Sequence, residues 1–381
     1  MTRRTGTLAL LAALAIAAVA TAQSVQAGET PTPCTPTVQR IVTRTPTGQK
    51  VVTTQVVPPD QDIKFGQCLF NSRIDFNQSN PNNAFASCNG CHPGGGTDRG
   101  THPVMITNSL GTFIGVRKVP NLRNVQFNVP LGWDGRHGGT LGDATSIKAA
   151  IQSAAKGAIN SPMEMGGSIN TDPATNPTGA AADQAKLDAL TAFLIHRSPT
   201  APPPPNPNEP PPQPPMIDPA TLARIKTGAD VFFGRSASTQ VLVQNGTTCA
   251  SCHPPPFFTD NTVRTNILNP DAAWDFGFPL PGGGTGPQDV GAGLATVADP
   301  TSSRSAQVGH FKTPSLHHFY PDAEPFMHDG IFGRESNLFK FYERSLGFRL
   351  ASGESTGLHY WLQNCPKGIG RPALATPPEC N

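Results

Sequence analysis

The sequence predicts a mainly α chain built from two tandem copies of one domain, with long irregular loops. Three observations carry that prediction: an internal repeat with helical spacing, a proline tract between the copies, and a composition rich in loop formers. The repeat begins with Ile63-Lys64-x-Gly66-x-x-Leu69-Phe70, and Cys88 follows 22 residues after the glycine. Its second copy is Ile225-Lys226-x-Gly228-x-x-Val231-Phe232, with Cys249 following 21 residues after the glycine. Apolar positions three, four and seven apart make one face of a helix in each copy. A second echo pairs Lys118-Val119-Pro120-Asn121-Leu122 and Trp133-Asp134-Gly135 with Lys312-Thr313-Pro314-Ser315-Leu316 and His328-Asp329-Gly330; lysine to aspartate is 16 residues in one copy and 17 in the other. Two features recurring in order at matched spacing indicate duplication. Leu187, Leu190 and Leu194 share a helical face over residues 185–196, which closes the first copy.

Between the copies, 11 of the 17 residues at 199–215 are proline. Such a run excludes helix and central strand and favours polyproline II, a stiff spacer spanning roughly 50 Å. The segment 269–309 is a long insert whose glycine- and proline-rich middle reads as a covering loop. Overall, 38 glycines and 41 prolines in 381 residues, with only 14% charged residues, describe a loop-rich globular chain.

At the N-terminus Arg3 and Arg4 precede an apolar run over residues 8–20, with small residues permitting cleavage after Ala22 or Ala27. This reads as a signal peptide over 1–27, and the periplasm as the destination; no membrane span is expected after its removal. Losing both arginines takes the formal charge of +2 to about zero, which gives no electrostatic case for nucleic acid as a partner. Residues 28–60, rich in Thr, Pro and Val, read as an extended N-terminal strap. Export places eight cysteines in an oxidising compartment. Four lie outside the motifs described next, and of their three connectivities Cys34–Cys68 with Cys365–Cys380 is favoured because each pair joins neighbouring segments.

The chemistry sits in Cys88-Asn89-Gly90-Cys91-His92 and Cys249-Ala250-Ser251-Cys252-His253. Cys-x-x-Cys-His attaches haem c: two cysteines three apart reach both porphyrin vinyl positions, and the next side chain meets the iron. A thioredoxin-like pair needs no histidine, and a zinc site built from both pairs leaves two histidines unexplained. This composition yields such a motif by chance about 0.004 times. The predicted fold class is thus mainly α, with two cytochrome c-like haem domains in tandem at 61–198 and 217–381, a proline-rich linker at 199–216, and two covalently bound haem c groups.

The chain resembles the bacterial di-haem cytochrome c peroxidase family, including its MauG branch. The resemblance rests on the first haem motif, Pro120-Asn-Leu-Arg-Asn, Trp133-Asp-Gly-Arg136 and Ser161-Pro-Met-Glu164-Met165. In the second half it rests on the second haem motif, Phe257-Phe-Thr-Asp-Asn261, Phe311-Lys-Thr-Pro-Ser-Leu316 and Pro325-Phe-Met-His-Asp-Gly330. It implies that the haem of His92 meets hydrogen peroxide, that Glu164 shuttles protons between the peroxide oxygens, and that Trp133 lies between the haems. His253 is the proximal ligand of the second haem. Its sixth ligand in the family falls fourteen residues after the position of His328, which is Tyr342; Met327 and His328 are rival ligands. A phenolate lowers the potential of its iron and favours oxidised states, as in the MauG branch. His102 is a possible sixth ligand of the first haem. The glutamine that the family often carries ten residues before the glutamate is Ala154 here, with Gln152 nearby. Lys118 replaces an asparagine associated with a calcium ion between the domains, and a cation there argues against calcium. The expected function is a periplasmic peroxidase whose partner is a small electron-donor protein or a protein substrate. The alternative is a non-enzymatic di-haem electron-transfer cytochrome.

Overall fold

Both repeated glycines mark places where two helices touch backbone to backbone. A computed structural model describes residues 32–45, 47–76, 87–98, 100–108, 111–133, 135–162, 164–197, 217–265, 310–317, 326–327, 332–366 and 380. Helix α1 (Ile63–Asn71) is capped by Asp62, whose carboxylate accepts from Phe65 N at 2.9 Å. Its face of Phe65, Gly66, Leu69 and Phe70 is buried. A Cβ on Gly66 would stand 1.9 Å from Ala189 O in helix α4 (Ala180–Arg197), so only glycine permits this crossing. The second copy repeats the construction. Helix α5 (Pro219–Phe232), capped by Asp218, crosses helix α9 (Ser352–Asn364), and a Cβ on Gly228 would stand 2.1 Å from Gly357 O. Phe232 stacks on the fully buried Trp361 with ring centroids 4.0 Å apart.

Between the paired helices of the first half come helix α2 (Cys88–Cys91), hairpin β3–β4 (Thr101–Asn108 and Gly111–Lys118) and helix α3 (Ala144–Asn160). The second half places α6 (Gln240–Gln244), α7 (Cys249–Cys252), the short pair β5–β6 (Val263–Thr265 and His310–Lys312) and α8 (Glu335–Leu346) between α5 and α9. The chain is mainly helical. Each of its three described sheets is a two-stranded antiparallel ribbon. The first core gathers Phe70, Val129, Ile147, Ile151, Leu190 and Phe193, with Cys88 packed against it. The last gathers Ile225, Phe232, Phe258, Leu358, Trp361 and Leu362, with Cys249 against it.

The two disulfides are Cys34–Cys68 and Cys365–Cys380. The helix expected over 185–196 begins earlier, at Ala180. The N-terminal strap is extended but doubles back as a hairpin, β1 (Val38–Arg44) on β2 (Lys50–Val56). Gly48, at φ +82°, makes the reversal, its N–H donating to Thr45 O at 2.9 Å. The signal segment over 1–27, the whole proline-rich linker at 199–216 and the insert at 269–309 lie outside the described residues. No helix among the described residues is long and apolar enough to cross a membrane.

The two copies meet along a polar seam within residues 33–381, which form one unit. Phe127 stacks on Phe257 at 5.2 Å, and Asn261 Nδ2 donates to Phe127 O at 3.1 Å. Lys312 Nζ donates to Asn128 O at 2.8 Å and to Asn128 Oδ1 at 2.5 Å. Burial pushes the Lys312 ammonium down to about 7, an effect the two carbonyl acceptors oppose. Below that value folded and unfolded chains both carry the charge, and its burial cost is felt in full. Above it the folded chain sheds the proton first, so stability rises with pH from about 7 until the unfolded lysine titrates near 10.5. Lys312→Met is expected to abolish a gain on the order of 3 kcal/mol across this window. Guanidinium unfolding of both proteins at pH 6, 8 and 10 checks it; parallel pH profiles would refute it.

Candidate functional site

Each Cys-x-x-Cys pair occupies one helical turn, which puts both sulfurs on the same side. Ser87 caps α2 by accepting from Gly90 N at 3.2 Å, and Thr248 caps α7 by accepting from Ser251 N at 3.2 Å. The following histidine closes the turn: His92 N donates to Cys88 O at 2.8 Å and His253 N to Cys249 O at 2.9 Å. His92 Nδ1 lies 3.3 Å from Gly96 O, and His253 Nδ1 lies 3.1 Å from Phe258 O. A carbonyl can only accept, so each ring carries its proton on Nδ1 and its lone pair on Nε2, the arrangement of a metal-binding histidine. Burial pulls the His92 imidazole down to about 4, which keeps it neutral at ordinary pH.

Both motifs open on one cavity of about 830 Å³. Cys88, Cys91, His92, Trp133 and Glu164 line it from the first copy, and Cys249, Cys252, His253, Met327 and Tyr342 line it from the second. Burial pushes the Cys88, Cys91 and Cys249 thiols up to about 12. A disulfide-exchange centre lowers its thiol instead. The four motif cysteines are unbridged, while the other four form disulfides. Paired thiols on a turn, a lone-pair nitrogen beside each and a largely apolar space fit a haem c group at each motif.

Glu164 stands on the turn that ends α3, its N–H donating to Ser161 O at 3.1 Å. Burial raises its carboxyl above the usual range, and Arg136, Arg117 and His102 oppose that rise. His102 Nε2 lies 2.5 Å from Asp98 Oδ2, and Cys91, Asp98 and His102 present ligand-type atoms within 4.8 Å of one another. His102 thus lines the same side of the cavity as His92 and Glu164. Ala154 faces the cavity, whereas Gln152 Nε2 turns to Asp188 Oδ1 at 2.8 Å on α4, so it does not supply the family's glutamine.

Tyr342 reaches the cavity from α8, whose Leu338, Phe339 and Phe341 are buried. Burial, with Cys249 and Cys252 adding to it, pushes the phenol above its ordinary value. A phenol so placed loses its proton only where a strong cation stabilises the phenolate. Met327, the rival ligand, lines the cavity at φ +70°, a conformation that costs a non-glycine residue energy. His328 lies outside the described residues.

Trp133 joins the halves through its main chain and its ring. Its Nε1–H donates to Lys118 O at 2.8 Å, and its own carbonyl accepts from Lys312 N at 2.9 Å. Arg117, and Asp98 as the partner of His102, are parts of the site that the sequence reading did not supply.

The chain is mainly helical, and its cavity gathers the cysteines and histidines of two Cys-x-x-Cys-His motifs. Residues 60–186 match the model of the family described as di-haem cytochrome c peroxidase, CCP_MauG. That stretch is one third of the chain and contains Cys88, His92, Trp133 and Glu164. The resemblance to the di-haem cytochrome c peroxidase and MauG family therefore holds over residues 60–186, and that family is one of peroxidase-type oxidoreductases. Among solved structures, a MauG-like protein associated with microbial copper homeostasis is similar with TM-score 0.49 and 16% identity, over 85% of this chain and 94% of that one. A variant of the diheme peroxidase BthA from Burkholderia thailandensis is similar with TM-score 0.41 and 14% identity, over 87% of this chain and 93% of that one. No curated protein matches the chain.

Proposed function

We propose that the chain is an exported, periplasmic di-haem peroxidase that reduces hydrogen peroxide at its N-terminal motif and exchanges oxidising equivalents with a protein partner through its C-terminal half. Cys88, Cys91 and His92 would hold one haem c, and Cys249, Cys252 and His253 the other, in tandem cytochrome c-like domains. The observation that carries this reading is the single cavity that both motifs share with Glu164 and Tyr342. Haem, when bound, supplies an iron that exchanges electrons with the oxidant.

Glu164 takes the proton from one peroxide oxygen and delivers it to the other, which departs as water. Arg117 and Arg136 favour the ionised carboxylate that must accept that proton. Apolar walls keep bulk water from competing. Two electrons and two protons convert one peroxide into two waters. A small reduced protein, or a side chain of a protein substrate, supplies the electrons. Trp133, hydrogen-bonded to both halves, is the aromatic bridge between them, and Tyr342 would join His253 in holding the iron of the second haem. Lys118 stands where the family carries the asparagine associated with calcium, and a cation there speaks against a calcium ion.

Electron paramagnetic resonance of the purified ferric protein tests the reading. Two haems per chain should survive denaturing electrophoresis, and one should carry a high-spin signal that peroxide perturbs. Two low-spin signals indifferent to peroxide would leave a di-haem electron carrier. Tyr342→Phe is expected to shift the spectrum of the C-terminal haem and leave the other unchanged; an unshifted spectrum passes the ligand role to Met327 or His328.

A further inference from the structure

Seven large apolar side chains are exposed among the described residues, and five belong to the β1–β2 hairpin: Val38, Val42, Val51, Val52 and Val56. The register pairs Val38 with Val56, Arg40 with Thr54, Val42 with Val52 and Arg44 with Lys50. Side chains alternate along a strand, so these eight residues share one face. That face carries four valines, with Val38 at 59% exposure and Val56 at 55%, and three cations with no acid among them. A two-stranded ribbon has no core of its own and is marginal in water unless something else supports it.

The support lies at its foot. Cys34 is bonded to Cys68 on α1, and its N–H donates to Asp75 at 3.1 Å. Thr37 donates to Asp62 through both N–H and hydroxyl at 2.6 Å, while Asp62 also caps α1. Cys34 and Cys88 pack against one apolar cluster. The arm is therefore anchored beside the first Cys-x-x-Cys-His motif, while its apolar, basic face stands in solvent.

We propose that the β1–β2 hairpin is a docking arm for an acidic protein, received on the face of Val38, Arg40, Val42, Arg44, Lys50 and Val52. This rests on the reading above and goes beyond it: the contact lies on the N-terminal half, beside the first motif, and is separate from the C-terminal route by which that reading exchanges oxidising equivalents. Carboxylates of the partner pair with the three cations around an aliphatic centre, the usual plan of a steered redox contact. The hairpin's free edges can also accept a further strand. A second copy is disfavoured, because two such faces would set cations against cations. A bilayer is disfavoured too: neither strand carries the Trp, Tyr or Phe on which interfacial segments rely.

The test measures binding of the full-length haem-loaded protein to reduced plastocyanin, an acidic copper protein. Binding at 20 mM salt should weaken at least tenfold at 200 mM, and at least tenfold in an Arg40→Glu/Arg44→Glu/Lys50→Glu variant. A Val42→Thr/Val52→Thr variant should weaken it about threefold at either salt. Haem content and the reaction with peroxide in a small-molecule reductant should be unchanged in both variants, which separates this proposal from the peroxidase reading. Absence of binding by the parent chain, or equal binding by the charge-reversed variant, would overturn it. So would loss, in that variant, of binding to phosphatidylglycerol vesicles or of a self-associated dimer in place of the plastocyanin contact.

Discussion

Glu164→Gln is expected to slow the reaction with hydrogen peroxide by about 10²–10⁴-fold while both haems stay attached. The amide keeps the size of the side chain and one carbonyl acceptor, but it cannot take a proton. The carboxyl is raised above its usual 4.5 by burial, and Arg136, Arg117 and His102 pull it back. A general base acts in its ionised form, so the parent rate should climb with pH through that raised value. In Glu164→Gln the acid limb should vanish, leaving a slow and flat profile. Stopped-flow mixing with peroxide between pH 4 and 8 reads both effects. A variant that keeps the parent's rate and its acid limb would remove Glu164 from the chemistry.

The largest expected effect on stability comes from one methyl group. Gly228→Ala would set a Cβ 2.1 Å from Gly357 O and 2.6 Å from Trp361 Cβ. Neither a carbonyl in a helix nor a buried tryptophan can step aside, so α5 and α9 must separate. A loss of about 3 kcal/mol or more follows. Gly66→Ala should behave likewise, since its Cβ would meet Ala189 O and Phe193 Cβ. Gly353 supplies the control: it lies on α9, and a Cβ there meets nothing within 4 Å. Gly353→Ala should stabilise by roughly 0.5–1 kcal/mol, because alanine gives up less freedom in a helix. Denaturant unfolding of the three variants checks the contrast. Equal effects at Gly228 and Gly353 would dismiss the close crossing.

What the residues alone disclosed was whatever depends on spacing along the chain. The haem motifs, the paired glycines and the neighbouring disulfides are local or periodic, and each has a counterpart in the coordinates. Counting along the family motifs also brought Glu164, Trp133 and Tyr342 to one cavity. Arg117 escaped because its partner is set by strand pairing: β3 and β4 put it directly opposite His102, fifteen residues away. The Lys312–Asn128 contact spans 184 residues and both copies, and no periodicity reports it. Helix α9 was hidden by its own composition, since Gly353 and Gly357 weaken the helical pattern that Leu358, Trp361 and Leu362 would otherwise announce. The hairpin at 38–56 read as a strap because valines and threonines mark extended chain without saying where it reverses.

Trp133 is gripped by peptide groups from both halves of the chain, Lys118 lending an oxygen and Lys312 a nitrogen. Side-chain drift around it leaves those two attachments intact, because neither Lys118 nor Lys312 uses its side chain to make them. What the grip cannot tolerate is a change in chain length on either side, between 118 and 133 or next to 312. Evolutionary change at this junction should therefore read as free exchange of residues within a fixed count.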